Sequence, residues 1–87
     1  MDSEETLRVR IRQFVRDELL LGDATQVLSD ADSFIETGTI DSTGVLEVVS
    51  FLENSFGFVV HDREMVPENL DSIDNLVRFI QRKQHAA

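Results

Sequence analysis

A serine at the predicted start of a helix is the residue of this chain best suited to chemistry. Ser42 follows Asp41 and begins an amphipathic stretch that ends near Phe56. The first backbone N–H groups of a helix lack partners within it and carry the positive end of its dipole, so they would stabilise a phosphate attached to Ser42. Asp41 could cap the helix and leave the Ser42 hydroxyl free.

The same position also suits a purely structural serine. Serine is a preferred helix N-cap, worth about 1 kcal/mol over alanine, and position alone favours this role. No residue near Ser42 in the sequence is suited to activate its hydroxyl as a hydrolytic nucleophile. The two hypotheses are therefore a serine that another enzyme modifies and a serine that only caps the helix.

The other reactive residue types predict neither catalysis nor metal binding. The chain has no cysteine, no glycine-rich phosphate loop and two histidines, His61 and His85, which we expect on the surface and in the tail. Residues 30–32, Asp-Ala-Asp, begin like a calcium-binding loop, but the sixth position is Ile35 in place of glycine and the twelfth is Asp41 in place of glutamate. We therefore expect a protein that is not an enzyme and has no metal site.

Length and composition predict one small domain over residues 1–87. Hydrophobic residues make up 41% of the chain, which suffices for one core and is too many for intrinsic disorder. The polar, acidic N-terminus lacks the pattern of a signal peptide, and no apolar stretch approaches the roughly 20 residues that cross a bilayer. We expect a cytoplasmic monomer with no membrane span.

The charge is unevenly distributed along the chain. A net charge of −9 argues against a nucleic-acid partner, because phosphate backbones attract basic surfaces. Residues 23–74 contain twelve Asp or Glu and a single base, Arg63, whereas the two ends hold five acids and seven bases. This acidic middle either keeps the protein in solution or attracts partner proteins with basic surfaces.

Hydrophobic spacing predicts an all-α fold of three main helices and one short helix, with a long loop between the first two. The first helix is predicted over residues 3–21, the second over residues 41–56, and the last from residue 71 or 72. Residues 61–67 predict a single helical turn that Pro67 stops. The predicted core stripes are Leu7, Ile11, Phe14, Val15 and Leu19; Val45, Val48, Val49, Leu52 and Phe56; and Ile73, Leu76, Val77 and Ile80.

The long loop over residues 23–40 needs contacts that hold it to the helices. Its predicted apolar anchors are Val27, Leu28, Phe34, Ile35 and Ile40. On the first helix, Arg8, Arg12 and Arg16 lie four residues apart. This spacing predicts a solvated stripe with local ion pairs such as Glu4–Arg8.

The segment around the serine resembles the attachment region of acyl carrier proteins. That family has an Asp-Ser-Leu motif at the start of its second helix, preceded by a glycine. The predicted order of elements, the length and the acidity are similar over nearly the whole chain, which implies an acyl-carrier-like four-helix bundle. The matching residues are Phe34-Ile35-Glu36-Thr37-Gly38-Thr39-Ile40-Asp41-Ser42 and Val45-Leu46-Glu47-Val48-Val49.

The resemblance implies a carrier that catalyses nothing itself. A phosphopantetheinyl transferase would move 4'-phosphopantetheine from coenzyme A to Ser42, beside Asp41, and the thiol of that arm would hold an acyl or aminoacyl group as a thioester. The cofactor would supply the sulfur that this cysteine-free chain lacks. The implied partners are that transferase, a loading ligase and downstream acyl-processing enzymes with basic docking surfaces. The alternative is a small acidic interaction module without a prosthetic group.

Two residues depart from the family pattern. Most members have leucine after the serine, where it contacts partner enzymes, whereas this chain has Thr43 followed by Gly44. Threonine keeps little of that apolar surface, and glycine in the first helical turn costs up to about 1 kcal/mol relative to alanine. The departure favours a specialised carrier over the housekeeping carrier of fatty-acid synthesis.

The face of the second helix opposite its core stripe predicts a docking surface. Leu46 is apolar on this polar face and lies one turn from Ser42, so it is either an ordinary exposed leucine or the centre of a docking patch with a charged rim. The resemblance implies that the second helix and the short third helix together form that surface. The predicted docking residues are Thr43, Leu46, Glu47, Ser50, Glu53, Asp62 and Glu64.

Three apolar residues after the second helix allow two interpretations. Phe58, Met65 and Val66 could line a crevice that shelters an acyl group. Residues of these types more often belong to the core, and we expect that role here.

Overall fold

The described part of the chain is all-α, as predicted. The computed structural model describes residues 3–19, 29–38, 40 and 44–85. None of the helices in these ranges is long and apolar enough to cross a membrane. The elements are α1 (Glu4–Phe14), a π-helical segment that continues it (Val15–Leu19), α2 (Gly44–Phe56), a 3₁₀ turn (Asp62–Glu64), α3 (Pro67–Leu70) and α4 (Ile73–His85).

Within the described residues, the core consists of one stripe from each long helix, two residues of the long loop, Leu70 of α3, and Val60 between α2 and the 3₁₀ turn. α4 packs against both α1 and α3. Most predicted core positions are buried, and Phe79, which was not among them, is buried as well. The buried hydrophobic residues are Leu7, Ile11, Val15, Phe34, Ile40, Val48, Val49, Leu52, Val60, Leu70, Ile73, Leu76, Val77, Phe79 and Ile80.

Capping residues set the helix ends where the sequence predicted them. The Ser3 hydroxyl accepts a hydrogen bond from the Thr6 N–H at 3.2 Å, which satisfies a free donor in the first turn of α1. The Ser72 hydroxyl does the same for the Asn75 N–H at 3.0 Å, so α4 starts directly after Ser72. Gly57 ends α2 with φ +75°, a left-handed conformation that favours glycine. The predicted caps at residues 2 and 41, and the predicted end of the first helix at residue 21, lie outside the described residues.

The prediction that Pro67 stops a single helical turn is wrong. Two short helical segments occupy this stretch, and Pro67 is the first residue of the second, α3. A proline is well tolerated at that position because its missing N–H would have had no partner within the helix. The turn that precedes it ends at Glu64 and is separated from α3 by Met65 and Val66.

Two of the predicted apolar anchors of the long loop are buried, and a third is not. Phe34 and Ile40 pack into the core, and the Phe34 carbonyl accepts a hydrogen bond from the Ile40 N–H at 3.2 Å. Gly38, at φ +75°, lets the chain reverse between them. Ile35 is 51% exposed, so the expectation that it is a buried anchor is wrong. The anchors at residues 27 and 28 lie outside the described residues.

Polar contacts also hold this part of the loop in place. The Asp71 carboxylate accepts hydrogen bonds from the Ser33 hydroxyl and from the Ile35 N–H, the latter at 3.0 Å. The Asp71 carbonyl accepts a third from the Phe34 N–H at 2.8 Å. Asp71, between α3 and α4, therefore fixes three consecutive residues of the loop.

Four charged residues form a junction between α1, the loop and α4, which we call the Asp30 junction: Arg8, Arg12, Asp30 and Asp74. The Arg12 Nε and Nη2 atoms reach the two Asp30 oxygens at 3.0 and 2.7 Å. Arg8 Nη1 lies 2.7 Å from Asp30 Oδ2 and 2.5 Å from Asp74 Oδ1. The Asp30 carbonyl also accepts a hydrogen bond from the Asp74 N–H at 2.9 Å.

The junction corrects the expectation of a solvated arginine stripe on α1. The local Glu4–Arg8 pair is present at 3.4 Å, but Arg8 and Arg12 also make contacts far along the sequence. Hydrogen bonds from Arg12 and then from Arg8 lower the pKa of Asp30. The hydrogen bond to Asp74 is the main reason that the pKa of Arg8 is raised. Arg8 is half-buried, whereas Arg12 and Arg16 are exposed, as the stripe predicted. Arg16 pairs with its neighbour Asp17 at 3.3 Å.

Replacing Asp30 by asparagine removes the charge that both arginines bind. We expect Asp30→Asn to lower the free energy of unfolding by about 1–2 kcal/mol near neutral pH. Because the folded-state pKa of Asp30 is lowered, its contribution is present above the unfolded pKa of about 4 and is lost as the pH falls through the folded value. Urea unfolding of both proteins, at about pH 7 and about pH 3, measures this difference.

Asp17→Asn is the matched control, since it removes an exposed carboxylate that pairs with an exposed arginine. We expect it to change stability by less than about 0.5 kcal/mol. If Asp30→Asn lowers the free energy of unfolding by the same amount at both pH values, the carboxylate charge is not the cause.

Candidate functional site

The predicted attachment residues, Asp41, Ser42 and Thr43, lie outside the described residues, but both of their neighbours are described. Ile40 is buried in the core, with 7% of its surface exposed. Gly44 is the first residue assigned to α2. In the sequence, residues 41–43 therefore stand between a buried core residue and the first described residue of α2.

An apolar cavity of about 310 Å³ lies beside the N-terminal end of α2. Ile40 and Val45, on either side of residues 41–43 in the sequence, both line it. The opposite wall comes from the segment that includes α3. The lining residues are Ile35, Ile40, Val45, Met65, Val66, Pro67, Leu70 and Asp71.

Of the three residues that could line a crevice, two line this cavity and the third does not. Met65 and Val66 line it and are half-buried. Phe58 is elsewhere, with its ring centroid 6.4 Å from that of Phe56 and 5.9 Å from that of Phe79, and it packs against the core. Met65 also packs against the core, so the crevice and core interpretations both hold for it.

Among the residues that the structure describes, Asp71 is the one charged residue that lines the cavity. Its two carboxylate oxygens accept hydrogen bonds from Ser33 and from the Ile35 backbone. Because these bonds already satisfy the carboxylate, the cavity offers mainly apolar contact to a ligand.

Three predicted docking residues share one shallow groove, which we call the α1–α2 groove. Leu46, Glu47 and Ser50 are exposed on α2, and 59% of the surface of Leu46 is accessible. The groove has a volume of about 680 Å³ and is lined by Phe14, Glu18, Leu46, Glu47, Ser50, Phe51, Asn54 and Ser55.

The floor of the α1–α2 groove is a stacked pair of aromatic rings. The centroids of Phe14 and Phe51 are 4.2 Å apart and their planes are 13° from parallel. Phe51 in turn meets Phe56 edge-on at 5.9 Å. These contacts join α1 to α2 and give the groove a rigid apolar base.

Glu53 and Glu64, two other predicted docking residues, make contacts within the protein. The Glu53 carboxylate accepts a hydrogen bond from the Val60 N–H at 3.0 Å and so fixes the segment that follows α2. Glu64 accepts one from the His61 N–H at 2.9 Å and pairs with Lys83 Nζ at 2.9 Å. The hydrogen bond from His61, and then the contact with Lys83, lower the pKa of Glu64.

Asp62 is exposed at the start of the 3₁₀ turn and does not line the α1–α2 groove. The structure thus brings Leu46, Glu47 and Ser50 together and leaves Asp62 and Glu64 on a separate surface. Thr43 lies outside the described residues.

Sequence reasoning missed Glu18 and Phe51 as groove residues and assigned Phe14 to the core alone. Phe14 and Glu18 are four residues apart, a spacing that places two side chains on the same side of a helix. This spacing could have predicted that Phe14 and Glu18 lie on the same face. Nothing local in the sequence indicates that they face Leu46, which comes from another helix.

Within the described ranges, no group of three or more His, Cys, Asp or Glu residues could hold a metal ion. The carboxylate of Asp30, where a calcium-binding loop would have begun, binds the guanidinium groups of Arg8 and Arg12. These residues serve the fold.

Comparison with protein-family models and with curated proteins gives no match. No family model matches this sequence, and no curated protein does so. Its function must therefore be inferred from its own residues and from their geometry.

Proposed function

We propose that this chain is a carrier protein that holds an acyl or aminoacyl group as a thioester on a 4'-phosphopantetheine arm attached to Ser42. The observation that carries the proposal is the sequence Gly38-Thr39-Ile40-Asp41-Ser42, which precedes α2 in the chain and contains the buried core residue Ile40. The cytoplasm, where coenzyme A and a transferase are available, suits this role.

The frame around the serine fits such a group. The positive end of the dipole of a helix as long as α2 favours a phosphodiester at its start. The Ser42 hydroxyl would take the phosphopantetheinyl phosphate from coenzyme A, with release of adenosine 3',5'-bisphosphate and a proton. The arm then supplies the thiol, and the protein's own residues supply attachment and docking.

The apolar cavity supports an acyl cargo in particular. It is bounded by Ile40 and Val45, which flank the proposed attachment site in the sequence. Its walls offer little besides apolar contact, which suits a hydrocarbon chain better than a charged aminoacyl group.

The α1–α2 groove supports the competing function, an interaction module with no prosthetic group. An exposed Leu46 over an aromatic floor would bind a partner whether or not Ser42 carries an arm. The mass of the protein distinguishes the two functions.

The chain should gain the mass of one phosphopantetheine when it is expressed together with a broad-specificity phosphopantetheinyl transferase. Mass spectrometry of the intact protein measures the gain. Ser42→Ala should abolish it, because no other atom would carry the ester. Ser29→Ala, which replaces an exposed serine outside both the cavity and the groove, should leave the gain intact. Unmodified wild-type protein after expression with several such transferases would favour the interaction module.

Charge reversal at Glu47 should slow attachment of the arm or of its cargo by an enzyme with a basic surface. Glu47 is exposed on α2, so Glu47→Lys should leave the fold unchanged by circular dichroism. We expect kcat/KM to fall about threefold to tenfold at low salt, and less at high salt, because ions screen the attraction.

Glu5→Lys is the control for this measurement, since Glu5 is an exposed acid on α1 that lines neither the cavity nor the groove. Glu53 is less suitable, because its carboxylate also fixes the backbone at Val60. Equal kcat/KM values for wild type and Glu47→Lys at low salt would show that Glu47 is not part of the docking surface.

A longer acyl chain should stabilise the loaded carrier if it enters the cavity. Burial of apolar surface contributes up to about 0.8 kcal/mol per methylene group, so the octanoyl form should have a Tm several degrees above that of the acetyl form. Val45→Phe, which places a larger side chain on the cavity wall, should reduce the difference. Equal Tm values for both wild-type forms would show that the chain stays outside.

A further inference from the structure

We propose that α4 binds an acidic helix of a partner protein through Arg78 and Arg82, which we call the α4 arginine pair. These two residues line neither the cavity nor the α1–α2 groove. The inference goes beyond the proposed function, because it needs neither the arm nor the exposed face of α2. It can therefore be tested on the unmodified chain.

The α4 arginine pair lies on one side of its helix and is exposed to solvent. Arg78 and Arg82 are four residues apart, a spacing that makes two side chains neighbours on the surface of a helix. Leu76 and Ile80, on the other side of α4, are fully buried in the core. The core thus fixes the direction in which the pair points.

An asparagine holds each arginine in place. Arg78 Nη2 donates a hydrogen bond to Asn75 Oδ1, and Arg82 Nη2 donates one to Asn69 Oδ1, both at 2.5 Å. Each asparagine Nδ2 in turn donates to a backbone carbonyl of the segment 64–67, at 3.2 and 2.9 Å respectively. Because an amide oxygen is neutral, these bonds orient the guanidinium groups and leave their charge in place. Side chains that are already ordered lose less entropy when a ligand binds.

The positive charge of the pair is unopposed, which sets it apart in this acidic chain. Within the described residues, neither arginine forms an ion pair, whereas Arg8 and Arg12 bind Asp30. Residues 75–85 contain no Asp or Glu. The third base of that stretch, Lys83, is already paired with Glu64 at 2.9 Å. A ligand would therefore meet two free positive charges at this face.

The spacing of the pair matches two carboxylates on another helix. Residues four apart on an α-helix are about 6 Å apart along its axis, so a partner helix with Asp or Glu at such positions can place one carboxylate opposite each guanidinium group. Arginine has five N–H donors in a planar fork that fits a carboxylate, and one asparagine occupies only part of them. The chemistry and the register both fit an acidic helix.

The charge of the whole chain decides against larger anionic partners. A nucleic acid or an anionic membrane would bring many negative charges against a protein with a net charge of −9, and two arginines would not offset that repulsion. A second copy of this chain, also at −9, would be repelled in the same way. A short helix with two carboxylates adds little long-range repulsion and still meets both arginines.

Titration of the ¹⁵N-labelled, unmodified chain with a synthetic peptide tests the proposal at roughly 0.15 M salt, where ions screen long-range repulsion. The probe is an otherwise neutral helical peptide with two glutamates four residues apart. We expect saturable chemical-shift changes at the amides of residues 75–82 and at the arginine Nε–H groups. The control peptide has the same composition, with its glutamates two residues apart, so that they do not share a face. Equal Kd values for both peptides, or shift changes that cluster on α2, would overturn the proposal.

Single variants assign the binding to the pair. Arg78→Gln and Arg82→Gln should each raise the peptide's Kd by about threefold to tenfold, since each removes one exposed ion pair with the ligand. Arg16→Gln makes the same charge change at an exposed arginine of the π-helical segment and should change Kd by less than about twofold. An equal rise in Kd in all three variants would show a diffuse charge effect and contradict the proposal.

Asn75→Asp tests the role of the free charge without removing an arginine. The new carboxylate would neutralise Arg78 from the position that the amide now holds, so Kd should rise about as much as in Arg78→Gln while circular dichroism shows an unchanged helix content. An unchanged Kd in this variant would show that the unopposed charge is not what binds the peptide. Amide shifts in α4 that depend on protein concentration without peptide would identify a second copy as the occupant and overturn the proposal. None of these outcomes bears on attachment of phosphopantetheine, which is read from the intact mass.

Discussion

Two aspartates hold the described part of the long loop against the helices, and the cavity depends on that placement. Asp30 joins the loop to α1 through two arginines and to α4 through its carbonyl. Asp71 fixes residues 33–35 with its carboxylate and its backbone. With both ends of this segment held, Phe34 and Ile40 reach the core, and Ile40 becomes one wall of the cavity. These two aspartates thus stabilise the fold and also contribute to the negative charge.

The helices could be predicted from the sequence because their signals are local. A stripe of apolar residues every three or four positions, with Ser3 or Ser72 before it and Gly57 after, needs no knowledge of the rest of the chain. The same reasoning failed at Pro67, because a proline is compatible with either the end of one helical turn or the start of another. Only the packing against α4 distinguishes them.

The candidate site was predictable in part. The spacing on α2 placed Leu46, Glu47 and Ser50 on one face, and they are exposed together. The partners of that face come from elsewhere in the chain: Glu18 lines the same groove from the π-helical segment, just as Arg8 binds Asp74 across 66 positions. Arginine reaches carboxylates in many directions, and no periodic pattern specifies which one it will contact. The side of α2 that meets α1 could therefore be found only from the packed structure.

The cavity and the α1–α2 groove adjoin consecutive residues of one helix. Val45 lines the first and Leu46 the second, and on an α-helix such neighbours point about 100° apart. The helix α2 therefore lies between the cavity that we propose for the cargo and the groove that we propose for partners. If filling the cavity displaces this helix, a partner in the groove would sense the cargo without touching it. Thermodynamic linkage would then require the reverse effect to be equally large. A partner that binds more tightly when the cavity is filled would also strengthen binding of the cargo in the cavity by the same factor.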